Sequence, residues 1–321
     1  MKKSFYFISI ALLFLSFGAK ASATTILSPL LSLEVDPGKS QKGIVKIYNE
    51  TNDSLSLVAA VESFNTANEL GQPSYLPVDE KTSYVDWFKL SQKEILLLPH
   101  QAVIVPFTVT VPKAAIPGGY YTAIFWQTQP NNTDLANKSS INSRVGTLVF
   151  LKVKGEVVEA GQLLDFSPTI KQSVFWQLPI NFVTRFENSG TIHLQPSGQI
   201  TVSGWFKTIS LPVNQASHYV LPKSIRRFET VWGRPQTSNL IITFWHNLQD
   251  EMTNLSFGPY QARLEVSAGE RGTISVGQTI SFWVIPYHSI IAFIVLIFAI
   301  IIFLKINRKA NQLKFRGTNK V

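Results

Sequence analysis

Residues 103–111, which read VIVPFTVTV, are the stretch that decides the fold class of this chain. Val or Phe recurs at every second position from Val103 to Val111, with Ile, Pro or Thr between them. Large apolar residues at every second position predict a strand with one buried face. Pro106 cannot donate to a sheet ladder, so this strand is expected at an edge or with a bulge at that point.

Short apolar runs separated by turn signals occur on both sides of this stretch. Residues 36–39 (DPGK) and 116–121 (IPGGYY) are turn signals between short apolar runs. About seven or eight strands over roughly 130 residues are typical of a sandwich. Residues 261–266 alternate again further on, and residues 240–245 (LIITFW) are predicted as an apolar strand. Helical periodicity is expected only in the two membrane segments.

The predicted fold class is therefore all-β, with two tandem immunoglobulin-like β-sandwiches, an N-terminal signal peptide and one C-terminal transmembrane helix. Immunoglobulin-like domain 1 is expected over residues 24–157 and domain 2 over residues 158–286. The boundary between them is placed near residues 155–161, a short stretch that begins and ends with glycine.

Residues 289–304, SIIAFIVLIFAIIIFL, contain no charge, proline or glycine. Extended to residues 287–306, the run has about the length a helix needs to cross a bilayer. Tyr287 and His288 stand where an aromatic belt is expected, and the basic residues Lys305, Arg308 and Lys309 follow the run. These three set the topology by the positive-inside rule, with residues 307–321 as a basic cytoplasmic tail. A buried core helix is the alternative.

Residues 1–23 carry the pattern of a signal peptide. Lys2 and Lys3 precede an apolar run at residues 5–17, and Ala21-Ser22-Ala23 forms a cleavage site. An uncleaved second anchor is the rival interpretation. The favoured topology is a type I single-pass protein of the cell membrane, with an extracellular body and a cytoplasmic C-terminus.

The net charge of +9 comes from the two ends of the chain. Nine of the 29 basic residues lie in the signal and tail, which contain no acid, and removing nine from 29 leaves 20 basic against 20 acidic residues. A balanced body argues against a nucleic-acid partner. The tail either contacts anionic headgroups or only sets orientation. The absence of cysteine removes thiol catalysis and cysteine-zinc sites, and favours a bacterial envelope.

No catalytic or cofactor motif stands out. The five histidines are scattered without metal-ligand spacing, and no Gly-x-Ser-x-Gly sequence or glycine-rich phosphate loop occurs. Glu62 with Asp79 or Asp86 stays open as a carboxylate pair of the glycosidase type. The expectation is a protein that is not an enzyme and that holds no cofactor or metal.

Tyr84, Trp87 and Phe88 are the candidate ligand-binding residues, because they border a long polar stretch at residues 65–82. They are expected either to stack on glycan rings or anchor a protein partner, or to plug one end of the sandwich. Trp232 and Trp283 lie in predicted strands and are assigned to the core.

Several turn-and-strand patterns resemble bacterial surface proteins of the WxL-interacting type. In the first domain these are LEVDPG at residues 33–38, VKIYN at 45–49 and LPHQAV at 98–103, and in the second NSG at 188–190 and SFWVIP at 281–286. The resemblance implies peptidoglycan binding by the first domain and partner binding by the second. No binding residue of that family is carried over.

Three classes of function compete. The favoured one is a non-catalytic, membrane-anchored adaptor that binds peptidoglycan or a surface protein. The alternative is a membrane-tethered, chaperone-like assembly factor that acts by β-strand addition at an open sheet edge. An envelope enzyme is the third class, and the lack of a catalytic motif disfavours it.

Overall fold

The computed structural model describes residues 24–76, 83–129, 144–234, 240–254 and 257–318. The predicted signal peptide at residues 1–23 lies outside them. The described chain divides into two compact units. Unit 1 extends to Glu156 but omits Thr66–Pro73, and unit 2 comprises Thr66–Pro73 together with the chain from Val157 onward.

Unit 1 is built from ten strands, arranged in two sheets. One sheet has the order β1-β3-β8-β6 and the other β2-β10-β9-β4-β5, with β7 also paired to β4. The strands are β1 (Thr24–Ile26), β2 (Leu30–Val35), β3 (Ser40–Asn49), β4 (Leu55–Thr66), β5 (Pro73–Tyr75), β6 (Phe88–Leu90), β7 (Glu94–Leu97), β8 (Ala102–Thr110), β9 (Gly118–Thr128) and β10 (Arg144–Val153). The pairings of β3 with β1 and β8, of β6 with β8, of β4 with β7 and β9, and of β9 with β10 are antiparallel, whereas β2 pairs with β10 in parallel.

The alternating residues 103–110 lie in β8. Val105, Phe107 and Val109 are all buried in the core. Pro106 lies inside the sheet and not at an edge, since β8 has β3 on one side and β6 on the other. Its carbonyl accepts a hydrogen bond from Ser91 N on the β6 side, just beyond the end of the β6 ladder. The missing N–H therefore faces away from β3 and interrupts no pairing there.

Unit 2 contains eight strands in two sheets and two helices. The sheet orders are β11-β13-β16 and β12-β18-β17-β14-β15. The strands are β11 (Gly161–Pro168), β12 (Val174–Phe175), β13 (Ile180–Asn188), β14 (Ser197–Gly204), β15 (Thr208–Val213), β16 (Ser224–Trp232), β17 (Gly258–Ala268) and β18 (Ile274–Val284). The helices are α1 (Leu240–Asn254) and α2 (Tyr287–Thr318).

The chain is thus mostly β-sheet, as predicted, but the apolar strand expected at residues 240–245 is wrong, because these residues begin α1. Short apolar runs do not distinguish strand from helix. The buried face of α1 also includes the polar residues Asn247, Asp250 and Glu251. A polar buried face conceals helical periodicity from any search for apolar residues.

Each unit has its own core of large apolar side chains. Trp126 and Phe107 are fully buried in unit 1, and Phe182 and Phe186 are fully buried in unit 2. Trp232 joins the second core as expected. The assignment of Trp283 to the core is wrong, since its side chain is 47% exposed.

A buried asparagine closes one strand in each unit. Asn49 ends β3, and its Nδ2 donates to the carbonyls of Asp53 at 2.8 Å and Leu98 at 3.0 Å. Asn188 ends β13, and its Nδ2 donates to the carbonyls of Ile192 and Val220, both at 2.8 Å. Each side chain links the carbonyls of two separate segments, and these bonds give the buried amide its partners.

The last strand continues into α2 without a flexible linker. Trp283 N and Ile285 N donate to the carbonyls of Ser173 and Phe175, at 2.8 and 2.7 Å. The helical bonds of α2 start with Ile290 N donating to Pro286 O at 3.1 Å. Residues Tyr287–Arg308 of α2 are long and apolar enough to cross a membrane, and none of residues 290–308 is buried.

Candidate functional site

The predicted aromatic residues do not form one exposed surface. Tyr84 and Trp87 lie in a short 3-10 helix and form a ring cluster with Tyr120, at centroid distances of 4.9 to 6.1 Å. Burial raises the pKa of Tyr120, whose hydroxyl donates to Ile116 O at 2.8 Å. The rings of Tyr84 and Trp87 are half-buried, so their role in ligand binding stays a prediction.

Phe88 is placed differently from its two neighbours. It is buried in the core of unit 1, where its ring stacks on Phe107 at 6.3 Å between centroids. A ring in that position stabilises the sandwich and is covered from any ligand. Glu62, the carboxylate left open for glycosidase chemistry, forms an ion pair with Arg144, and Asp79 lies outside the described residues.

The first half of β10 is an open sheet edge. On one side β10 pairs with β9 along its whole length, from Arg144 to Val153. On the other side the ladder with β2 begins only at Leu148. Within the described part of the chain, the residues from Arg144 to Thr147 therefore have no strand on the β2 side.

The hydrogen-bonding groups of this edge follow from the paired half. Leu148 N donates to Pro29 O and Lys154 N donates to Val35 O, at 2.9 and 3.0 Å. Backbone groups of a strand point alternately to its two sides. The N–H and C=O groups of Gly146 and Arg144 belong to the same set as Leu148, and so face the open side. An incoming strand would meet the backbone groups of Arg144 and Gly146 next to Ser28, whose carbonyl accepts a hydrogen bond from Thr147 Oγ1 at 2.9 Å.

The two faces of the open edge differ in chemistry. Val145 packs against the core of unit 1, in phase with the buried residues Val149 and Leu151. On the outer face the guanidinium of Arg144 lies 3.6 Å from the centroid of the Phe125 ring. An added strand would place alternate side chains beside Val145, and the others beside a positive charge held on an aromatic ring.

The apolar residues of 145–153 predict a strand there, but they do not predict the open edge of β10. The pairing of a strand depends on where other strands lie, so no local pattern in residues 144–153 could reveal it. A weak signal was available in the asparagine- and serine-rich stretch before Arg144, which marks a long connection.

A buried polar cluster joins the two helices of unit 2. One carboxylate oxygen of Glu251 lies 2.7 Å from Nδ1 of His288, and both side chains are buried. The other oxygen accepts from Ser289 N at 2.7 Å and from Ser289 Oγ at 2.8 Å. Glu251 of α1 thus caps the N-terminus of α2. The described residues contain no group of three or more His, Cys, Asp or Glu side chains that could hold a metal.

The residues predicted to set the topology lie near the C-terminal end of the apolar segment of α2. Lys305 and Arg308 are exposed, and Lys309 belongs to the same helix. The position fits a helix with one basic end.

No protein-family model matches the chain, and no curated protein matches it either. Its fold is similar to that of several solved fimbrial chaperones. One is a chaperone–tip adhesin complex of CFA/I fimbriae biogenesis, with 10% identity, coverage of 80% of this chain and 98% of that chain, and a TM-score of 0.38. Another is the Salmonella enterica SafB chaperone with SafA pilin, with 9% identity, coverage of 82% and 99%, and a TM-score of 0.36.

A third is the class 5 fimbriae chaperone CfaA, with 10% identity, coverage of 80% and 98%, and a TM-score of 0.37. These similar structures are fimbrial chaperones, and no family model or curated protein supports a WxL-interacting assignment, so the resemblance drawn from turn-and-strand patterns is wrong. The predictions of peptidoglycan binding and of a cell-wall partner are therefore also wrong. Turn patterns of this kind recur in sandwiches of many families because the same backbone corners need Gly, Pro and Asn.

Proposed function

We propose that this protein binds an extended segment of another exported protein by β-strand addition at the open edge of β10, without catalysis. The observation that carries the proposal is the half-paired strand, with Arg144 and Gly146 presenting backbone groups and Val145 presenting an apolar track. In strand addition, main-chain hydrogen bonds supply affinity and alternate side chains supply specificity. The two units are proposed to be immunoglobulin-like domains, with unit 1 as the binding domain.

The protein is also proposed to be exported and anchored by α2 in a type I orientation. The supporting features are the exposed apolar helix, its basic end at Lys305, Arg308 and Lys309, and the signal pattern of residues 1–23. Solved fimbrial chaperones are described with a pilin or a tip adhesin as partner. A secreted subunit of that kind is the first partner to test.

Cysteine capture tests the edge directly, because the chain contains no cysteine of its own. Arg144→Cys places one thiol beside the open half of β10, and Lys152→Cys places a matched thiol on the same strand where β2 already pairs. The probe is a set of ten-residue synthetic peptides with alternating apolar and polar residues and one cysteine each. Disulfide capture under mild oxidation is measured with the full-length protein in detergent.

The expected result is at least tenfold more capture at Arg144→Cys than at Lys152→Cys, with slower hydrogen exchange at the amide of Gly146 in the captured product. Equal capture at both positions would overturn strand addition at this edge. Orientation is tested separately in intact cells, where a membrane-impermeant maleimide should label Ser275→Cys and should label Asn319→Cys only after permeabilisation.

A further inference from the structure

The exposed tryptophans of this protein gather at one end of unit 2. Of the seven tryptophans, four are largely exposed: Trp176, Trp205, Trp245 and Trp283. An exposed tryptophan in water leaves a large apolar surface uncovered, and several together mark a contact surface. All four lie near the start of α2, as the strand registers and helix contacts establish.

Two of these tryptophans, Trp205 and Trp283, lie at one end of the five-stranded sheet. Trp205 contacts Phe206, Phe257 and Trp283, with ring centroids 6.1 to 6.4 Å apart, and these four residues are named the aromatic cluster. Trp283 is four residues before the first residue of α2, a path of at most about 14 Å. Phe257 directly precedes Gly258, which pairs with Val284 at the end of β18.

Trp176 lies at the same end of unit 2 as Trp205 and Trp283. Its carbonyl accepts a hydrogen bond from Tyr287 N, at the first residue of α2, at 3.3 Å. The sheet end from which α2 emerges therefore carries exposed aromatic rings contributed by β12's C-terminal end, the β14–β15 turn and β18.

Helix α1 adds an apolar face at this end of the unit. Ile242, Trp245 and Met252 are exposed at helical spacing, and Trp245 is 62% exposed. The opposite face is buried and holds Glu251, which bonds to His288 and Ser289 in the first turn of α2. Although Leu248 is buried and Gln249 is exposed, a helix that exposes three large apolar side chains and buries a carboxylate departs from the pattern of a water-facing helix.

We infer that this end of unit 2 lies in the headgroup region of the bilayer that α2 crosses, with the aromatic cluster and the apolar face of α1 in contact with lipid. The inference rests on the proposed membrane anchoring. Tryptophan is enriched at this depth because its ring is apolar and its N–H remains close to water. The interfacial layer is about 5–8 Å thick on each side of the hydrocarbon, and exposed apolar faces of interfacial helices penetrate to that depth.

The lipid assignment is favoured over a protein partner by covalent continuity. β18 passes into α2 through Ile285 and Pro286 alone, so a membrane around α2 brings lipid to Trp283 whether or not another protein is present. The exposed tryptophans also come from separate elements, namely the end of β12, the β14–β15 turn, β18 and α1. Contributions from several elements at one end of a unit fit contact with an extended surface such as a bilayer.

Spin-label depth measurement tests the inference in the full-length chain, reconstituted in vesicles of phosphatidylcholine and phosphatidylglycerol. Single cysteines are introduced and labelled at Phe206→Cys in the aromatic cluster and at Met252→Cys on α1, both exposed positions. Ser275→Cys is the matched control, because it is exposed on β18 but eight residues, or roughly 26 Å of strand, away from Trp283. Phe298→Cys reports on α2 itself.

The ratio of collisions with oxygen to collisions with a water-soluble nickel complex should be several-fold higher at positions 206 and 252 than at position 275, and highest at 298. A lipid-like ratio at 298 with water-like ratios at 206 and 252 would overturn this inference and leave the anchoring intact. A water-like ratio at 298 would overturn the anchoring and the inference together. Labels at 206 and 252 shielded from both reagents would mean that a second copy of the protein covers the cluster, which also overturns the lipid assignment.

Discussion

Removing the carboxylate of Glu251 is expected to release α1 from α2. The side chain is buried and accepts hydrogen bonds from Ser289 N and Ser289 Oγ, besides its contact with His288. Loss of a helix-capping acceptor costs about 1 kcal/mol. Leaving a buried polar partner unpaired costs about 1–3 kcal/mol more. Glu251→Ala should therefore destabilise the junction by about 3 kcal/mol.

Hydrogen exchange of the α1 amides, residues 240–254, measures this loss in the full-length protein. At 1.4 kcal/mol per tenfold, about 3 kcal/mol corresponds to a roughly hundredfold faster exchange through local opening. Glu251→Gln keeps one acceptor oxygen and should accelerate exchange about tenfold. Glu265→Ala is the control, because that carboxylate pairs with Arg263 on an exposed strand face and contributes less than about 1 kcal/mol.

The reasoning would be refuted if Glu251→Ala and Glu265→Ala changed α1 exchange by the same small factor. That result would mean that apolar contacts of α1 hold it in place and that the buried carboxylate is incidental. A uniform increase across all of unit 2 would also refute it, since the predicted opening is local to α1.

Three further changes test other parts of the structure by urea unfolding in detergent. Asn49→Ala should cost about 1–3 kcal/mol, because Thr51 N loses its acceptor and the carbonyls of Asp53 and Leu98 each lose one donor. Gly43→Ala should cost about 1–3 kcal/mol, since a Cβ there would lie 2.3 Å from the buried Phe107 ring. Glu69→Gln should cost less than about 1 kcal/mol at pH 7. The hydrogen bond from Arg185 lowers the pKa of Glu69 in the folded protein. The stabilisation by the Glu69 carboxylate is therefore present above the unfolded pKa near 4.5 and is lost as the pH falls through the lowered folded pKa.

Each of these three predictions would be contradicted by a specific result. Asn52→Ala, at an exposed position, should leave the urea midpoint nearly unchanged. If Asn49→Ala also left the midpoint unchanged, the hydrogen bonds of Asn49 would contribute nothing to stability. A neutral Gly43→Ala would mean that the Phe107 ring moves freely within the core. A Glu69→Gln effect that persists unchanged at pH 3 would assign its cost to something other than the charge of Glu69.

The strands that alternate in sequence were predictable because burial on one face leaves a period-two mark. Residues 103–111 and 261–266 carry that mark, and both form strands in the structure, β8 and part of β17. Trp283 was misassigned because its neighbours Phe282 and Val284 are also apolar, so the sequence does not reveal which phase faces the core. The structure buries those two and exposes Trp283.

The candidate binding edge and α1 were beyond sequence reasoning for different physical reasons. An open edge depends on the absence of a neighbouring strand, which is a property of topology. The helix was concealed because hydropathy patterns assume that apolar side chains are buried, and α1 buries Glu251 and exposes Trp245. Of the three aromatic candidates, Phe88 proved to be a core residue because the adjacent strand β6 turns its ring inward.

The uninterrupted bonding from β18 into α2 makes the sheet and the helix one mechanical part. Ile285 is held by Phe175, and the first helical bond closes on Pro286, so no freely swivelling peptide separates them. A twist of α2 about its long axis is therefore passed to the five-stranded sheet through these backbone bonds. Torque or tension applied to unit 2 is then transmitted along α2 to its basic end and is not absorbed by a flexible linker.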